Sequence, residues 1–157
     1  MYQGITPRTP TADSTAIGPR RTATLDPDEA LKLLGTVSLG RIVFTRHALP
    51  AVCPVNHIIE AGDIVFRLFD GGDIAALMAP DDCPGIVVAY EADAIDPVTD
   101  LGWSVVVTGY VLPVTDGRDS RDGQRYGELL RPLVGGPMGC VLSIRPGLIT
   151  GFRLEKA

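Results

Sequence analysis

Apolar positions recur along this chain at two spacings, and the changes between them mark out its elements. From Leu25 the pattern is helical: Asp26 can cap, Pro27 suits the first helical position, and Glu29 completes an Asp-x-x-Glu box ahead of Ala30, Leu31 and Leu34, with Gly35 as the stop. The spacing then falls to alternation. Strands are expected over 41–45 (RIVFT), 49–59 (LPAVCPVNHII) and 63–69 (DIVFRLF), the last two joined by a turn at Glu60-Ala61-Gly62. A short helix over 73–79 (DIAALMA) is stopped by Pro80. Two more strands, 85–91 (GIVVAYE) and 103–112 (WSVVVTGYVL), flank the loop DAIDPVTDLG. Residues 119–133 read as a helix with Leu129, Leu130 and Leu133 on its apolar side, and the chain closes with strands 140–145 and 148–154 about a Pro146-Gly147 turn. Residues 1–22 show almost no apolar period and are expected to be a flexible tail, leaving 23–157 as one domain.

Six or seven short strands, a few intervening helices and no repeat predict a mainly β, α+β fold, in which an antiparallel sheet curls into a small barrel with helices outside. Gaps of hairpin length exclude a doubly wound parallel sheet, which needs a helix of about 10 residues after nearly every strand. No dinucleotide fingerprint, P-loop or Gly-x-Ser-x-Gly elbow occurs.

The stretch 49–59 carries two prolines in one strand. Residues of one parity direct their N–H groups to one lateral side, so Pro50 and Pro54 remove donors from the same margin. Leu49, Ala51, Cys53, Val55, His57 and Ile59 share one face; Asn56 lies on the other with Pro50, Val52, Pro54 and Ile58. Such an interrupted margin can border a ligand groove or a subunit contact, or it can serve only to discourage edge-to-edge aggregation.

Charge narrows the functional classes. With 14 basic and 19 acidic residues the net charge is −5, and no Lys/Arg stripe suits a phosphate backbone, so nucleic acid is not an expected partner. No secretory leader is evident and no apolar run nears the ~18 residues of a membrane span, so a cytoplasmic protein is expected. Cys53, Cys83 and Cys140 form no Cys-x-x-Cys and argue against a disulfide framework or zinc site. Cys53 and His57, four apart on a strand, stand roughly 13 Å from each other and cannot chelate, and no metal site is expected.

The succession LGRIVFT, LPAVxPVNH, DIVFR, VVAYEADAIDPVTxxGWSVVVTGY and SIRPxxITGxRL resembles the pyridoxamine 5′-phosphate oxidase-like split-barrel proteins, in the small actinobacterial branch near the nitroimidazole-resistance proteins. The likeness runs from about Leu25 to Leu154; its most specific parts are Pro54-Val55-Asn56-His57, the run from Gly102 and Trp103 through Val107, and Ile149-Thr150-Gly151. It implies a homodimer of six-stranded split barrels with FMN or a deazaflavin coenzyme in two grooves at the subunit interface. By the same resemblance, Pro54, Val55, Asn56 and His57 line the ring, and Phe66, Arg67 and Leu68 border the ribityl and phosphate end. The family pattern then has a Gly-Ser/Thr-Lys-Leu run, whose lysine and helix N-terminus bind phosphate. This chain has Gly71-Gly72-Asp73-Ile74, and an aspartate there repels a dianion. Leu68 likewise replaces the usual threonine, leaving Arg67 as the cation, with Arg41 or Arg46 able to approach.

Each residue also has a plainer reading. Asp73 can cap the helix that follows it, Trp103 can be core rather than a stacking partner, His57 can be a structural hydrogen bonder, and Arg145 and Arg153 can be solvated. Two functions follow. One is a flavin- or deazaflavin-dependent oxidoreductase acting on a small conjugated substrate, with no assigned catalytic residue. The other is a split-barrel ligand-binding protein with a degraded phosphate site, no redox activity and no cofactor. Oxidation of pyridoxine phosphate itself would need a second phosphate site, for which few cations are spare.

Overall fold

The computed structural model describes residues 18–69, 86–114, 121–131, 133 and 138–157. In chain order the elements are β1 (Arg20–Thr24), α1 (Pro27–Leu34), β2 (Leu39–Arg46), β3 (Leu49–Glu60), β4 (Asp63–Phe69), β5 (Ile86–Ile95), β6 (Gly102–Pro113), α2 (Arg121–Leu129) and β7 (Met138–Lys156). The strands are joined in the order β7-β4-β3-β2-β5-β6, and β6 pairs with β7 again, closing a ring of six antiparallel strands. This is the small antiparallel barrel that the alternating pattern and hairpin-length gaps predict, in the split form that the resemblance implies. The helix expected over 73–79 and the first 17 residues of the tail lie outside the described residues.

Three details differ from the sequence reading. The two closing strands are one: β7 runs unbroken through Pro146 and Gly147, and the register slips there, with Thr108 facing Leu148 and Gly109 facing Pro146. The extra residue is a β-bulge, a place where a strand accepts a proline without losing a ladder donor. Residues 20–22, placed in the tail by composition, belong to β1, which pairs with the far end of β7 and is tied by Arg20 to Asp100 at 2.9 Å and Arg21 to Glu155 at 2.6 Å. α2 buries Tyr126, and Leu130 just past its end is buried with it, while Leu129 and Leu133 are exposed. Its apolar seam is a single i, i+4 pair rather than the run of leucines.

α1 starts as its capping pattern requires, with Asp26 Oδ1 accepting from the Glu29 N–H at 2.9 Å. The Glu29 carboxylate pairs with Arg153 at 2.7 Å, so Arg153 joins β7 to α1 and is not a free solvated charge. Ala30 and Leu34 are fully buried and α1 packs against β6 and β7. Burial of Leu34 alone contributes about 2 kcal/mol.

Inside the barrel, Ile42, Phe44, Val55, Ile64, Phe66, Val88, Val105, Val107 and Ile144 form one apolar core. His57 is the buried polar residue within it among the described residues. Its Nε2 lies 2.8 Å from the Leu34 carbonyl oxygen and its Nδ1 2.5 Å from the Tyr90 hydroxyl. A carbonyl can only accept, so Nε2 carries the proton and Nδ1 accepts from Tyr90. Burial pushes the imidazole below its ordinary range and the phenol above its own, and both remain neutral. Gly40 makes room for this pair: a Cβ there would come within 2.2 Å of the Tyr90 hydroxyl oxygen.

Tyr90→Phe leaves Nδ1 buried without a donor and is expected to cost about 1–2 kcal/mol in urea unfolding. Gly40→Ala, which drives a methyl into the same ring, is expected to cost about 2–3 kcal/mol.

Candidate functional site

The feature that shapes the outer surface is a fork between β3 and β4. These strands pair only from His57 with Phe66 to Glu60 with Asp63, while Leu49 to Asn56 pair with β2 on their other side. The His57 N–H donates to the Ser38 carbonyl at 2.8 Å, so odd-numbered residues of β3 direct their donors toward β2 and even-numbered ones away from it. Pro50 and Pro54 therefore lack their N–H groups on the margin facing away from β2, and among the described residues no strand pairs with that margin between Leu49 and Asn56. The interrupted edge read from the sequence is the split of the barrel.

Pleating sorts the candidate residues about this fork. Val55 and His57 point inward, as do Phe66 and Leu68, and all four are buried. Their side chains belong to the barrel, which leaves backbone groups to meet a ligand. Pro54, Asn56 and Arg67 lie on the outer face. Were the ladder continued by one pair, Asn56 would stand opposite Arg67, so these two are the first side chains beyond the point where β3 and β4 part. Trp103 is 8% exposed, packed in the core, and sits opposite Arg153, at the other end of β7 from Val141, the partner of Arg67. One subunit does not bring Trp103 to the fork. Asp73 lies outside the described residues.

At the fork, Arg67 Nε donates to the Gly139 carbonyl at 3.1 Å. Its Nη1 is enclosed and has no hydrogen-bond partner among the described residues. A shielded guanidinium N–H without an acceptor is costly, and an anion would complete it. The Asn56 amide donates to the Arg131 carbonyl at 2.8 Å.

That contact belongs to a clasp that the sequence did not reveal. Tyr126 and Leu130 pack on Val65, with Ile58, Val114 and Val141 at the rim, forming a cluster separate from the barrel core. Glu60, at the end of β3, accepts from the Tyr126 hydroxyl and from Arg125 Nη1, the latter at 2.5 Å. Those two hydrogen bonds, Tyr126 first, hold its carboxyl below the ordinary carboxylate range. The partners are more than 60 residues apart in sequence, as are Asn56 and Arg131, and no local spacing announces them. The pairing of Tyr90 with His57 was hidden in the same way; a Gly beside an apolar strand was its one local sign.

Among the described residues no helix is long and apolar enough to cross a membrane, and no group of three or more His, Cys, Asp or Glu could hold a metal.

Comparison with known proteins agrees with this fold. The family model described as pyridoxamine 5′-phosphate oxidase matches residues 26–134. The chain belongs to that family. It is 43% identical over 135 residues to the Mycobacterium tuberculosis protein Rv0080, an uncharacterized relative, covering 86% of this chain and 87% of that one. Among solved structures, a Corynebacterium glutamicum protein named for pyridoxamine 5′-phosphate oxidase superposes with a TM-score of 0.65 at 28% identity, covering 86% of this chain and 93% of its own. An FAD-binding protein from Mycobacterium smegmatis does so with a TM-score of 0.61 at 26% identity, covering 85% and 98%. A Bacteroides thetaiotaomicron protein named for 5-nitroimidazole resistance shares the fold, with a TM-score of 0.60 at 12% identity over 87% and 89%. Structures that share this barrel thus include a protein named as FAD-binding and one named for nitroimidazole resistance.

The depressed Glu60 carboxyl gives the clasp a pH dependence of defined sign. Because its folded pKa lies below the unfolded one, its contribution is complete above the ordinary carboxylate range and is lost as pH falls through the folded pKa. Glu60→Gln should lower the hydrogen-exchange protection of α2 at pH 7, and the gap from the unaltered protein should shrink toward pH 3.

Proposed function

We propose that this protein is a flavin-dependent oxidoreductase of the pyridoxamine 5′-phosphate oxidase family, acting on a small conjugated substrate, with the coenzyme over the outer face of β3 at the fork. The observation that carries this reading is Arg67 Nη1, an enclosed cationic N–H without an acceptor, next to Asn56 where the barrel parts. An anion completes that group, and the phosphate of FMN or the pyrophosphate of FAD supplies one. A bound flavin would contribute a ring that accepts and returns a hydride. A deazaflavin coenzyme, whose side chain is also anionic, meets the same requirement.

The chain's own residues bind and position. Arg67 offers N–H groups to the anion; the Asn56 amide, free to leave the Arg131 carbonyl, offers a donor and an acceptor to ring heteroatoms. Pro50 and Pro54 keep the strand margin from zipping onto β4, so the groove stays open. Among the described residues none at the fork is a poised general acid or base, consistent with chemistry carried by a coenzyme.

A second copy of the chain completes the proposal. Val52, Val43, Ala89, Thr108 and Leu148 form one row across β3, β2, β5, β6 and β7 on the outer face, with Val87 and Tyr110 in the next row. Val52, Val87, Tyr110 and Leu148 are each more than half exposed. Contiguous apolar surface of this kind marks a docking face. Arg41 and Glu91, 3.4 Å apart, lie beside this face, so a cation and a carboxylate on each copy can meet their opposites across a two-fold contact.

The alternative, a ligand-binding barrel without redox turnover, is favoured by Asp73 standing where the resemblance places a phosphate-binding lysine. Titration with FMN, FAD and a deazaflavin, followed by anaerobic reduction with NADPH, separates the two: the oxidoreductase binds one and is reduced, whereas the alternative gives no reducible complex. Arg67→Gln should weaken FMN binding roughly tenfold or more while leaving riboflavin, which has no phosphate, unchanged. Light scattering should return a dimer, and Val52→Glu with Leu148→Glu should return a monomer; a native monomer at all concentrations would remove the second copy from the proposal.

A further inference from the structure

A cavity of about 390 Å³ opens on the outer face of the barrel, lined by Thr36, Val37, Ser38, Leu39, Arg41 and Asp93. It adjoins the fork, since Leu39 pairs with Asn56 and Arg41 with Pro54 across β2 and β3. Val37 and Leu39 give it apolar surface. Its charged groups are held loosely: Arg41 Nη1 lies 3.4 Å from Glu91 Oε2 and 3.9 Å from Asp93 Oδ2, beyond the roughly 2.8 Å of a formed charge-assisted hydrogen bond. The guanidinium and the Asp93 carboxylate thus stand side by side, each with hydrogen-bonding capacity to spare.

The Glu91 carboxyl is pushed up, first by burial, then by its hydrogen bond to Asp93 and the charge of that neighbour, with Arg41 acting in the opposite sense. Glu91, Asp93 and Arg41 thus form one side-chain group across β2 and β5. A donor and an acceptor side by side suit a ligand edge that carries both, rather than a phosphate, which only accepts, or an ammonium, which only donates. A cation that donates beside a carboxylate that accepts is complementary to an imide, in which an N–H lies between two carbonyls.

We propose that this cavity reads the imide edge of a flavin-type ring, Arg41 donating to a ring carbonyl oxygen and Asp93 accepting the ring N–H. The inference rests on the flavin-binding reading above and assigns its ring end, as Arg67 is assigned the phosphate end. Arg41 and Arg67 lie on the same outer face, on β2 and β4 with β3 between them, so their backbones are at least two strand spacings, roughly 10 Å, apart. Flavin and 5-deazaflavin rings share the imide edge, so the cavity serves either and does not choose between them.

The test is titration of the full chain and its variants with riboflavin, 3-methylriboflavin and FMN, followed by ligand fluorescence. Asp93 and Arg41 are surface residues, so Asp93→Ala and Arg41→Ala should keep the native circular dichroism spectrum. Each should weaken riboflavin roughly tenfold, and methylation of the imide nitrogen should weaken binding to the unaltered protein by a similar factor. The deciding result is the combination: Asp93→Ala should bind riboflavin and its 3-methyl derivative equally. If Asp93→Ala discriminates between them as strongly as the unaltered protein does, or if methylation has no effect on the unaltered protein, the ring assignment is overturned. The flavin reading survives that outcome when Arg67→Gln still loses FMN selectively. If the unaltered protein binds neither riboflavin nor FMN, the flavin reading fails and the ring assignment falls with it.

Discussion

Two absent backbone donors set the character of this barrel. A strand between two neighbours ordinarily pairs along both margins, and an antiparallel sheet of this size gains much of its cohesion that way. With Pro50 and Pro54 on the same margin, β3 can satisfy β2 fully but meets β4 only beyond Asn56. The closed ring is preserved because β4 finds its other partner in β7, which in turn bridges to β6. The opening is therefore local, and the outward-facing Asn56 and Arg67 stand at its apex.

Strand pleating gives adjacent residues opposite tasks. Asn56 and His57 are neighbours in the chain, yet His57 is locked inside by Tyr90 and the Leu34 carbonyl while Asn56 faces out. The inner bonds join β3, β5 and the end of α1 below the fork, so the outer residue stands on a braced backbone. A buried imidazole satisfied on both nitrogens pays its desolvation with two hydrogen bonds, and the glycine at position 40 is the space that makes the second of them available.

Outside the barrel, α2 acts on the same strand from the other end. Glu60 fixes it at the β3–β4 turn and Arg131 reaches Asn56 at the fork, so a nine-residue helix, held by buried Tyr126 and by Leu130 just past its end, spans the stretch where β3 and β4 are paired. Clusters this small open at lower free energy than a core does. The ion group formed by Arg41, Glu91 and Asp93 lies across β2 and β5, so the groove is flanked by one segment held through a small cluster and one that is part of the sheet.

Much of this was legible locally. Strand period, the turn at Ala61-Gly62, the cap at Asp26 and the parity of Pro50 and Pro54 are all consequences of neighbours within a few residues, and each predicted its element or its margin. The resemblance identified the family, and with it the barrel. Local pattern could not show that Pro146 sits in a bulge, that Tyr126 rather than Leu129 is the buried residue of α2, or that Phe66 and Leu68 spend their side chains on the core. Those outcomes depend on partners tens of residues away, and only closure of the ring selects the partner. The sequence by itself determined which groups were missing or available along each strand. Tertiary structure decided which of them meet, because a contact between distant residues forms only once the sheet has fixed their register.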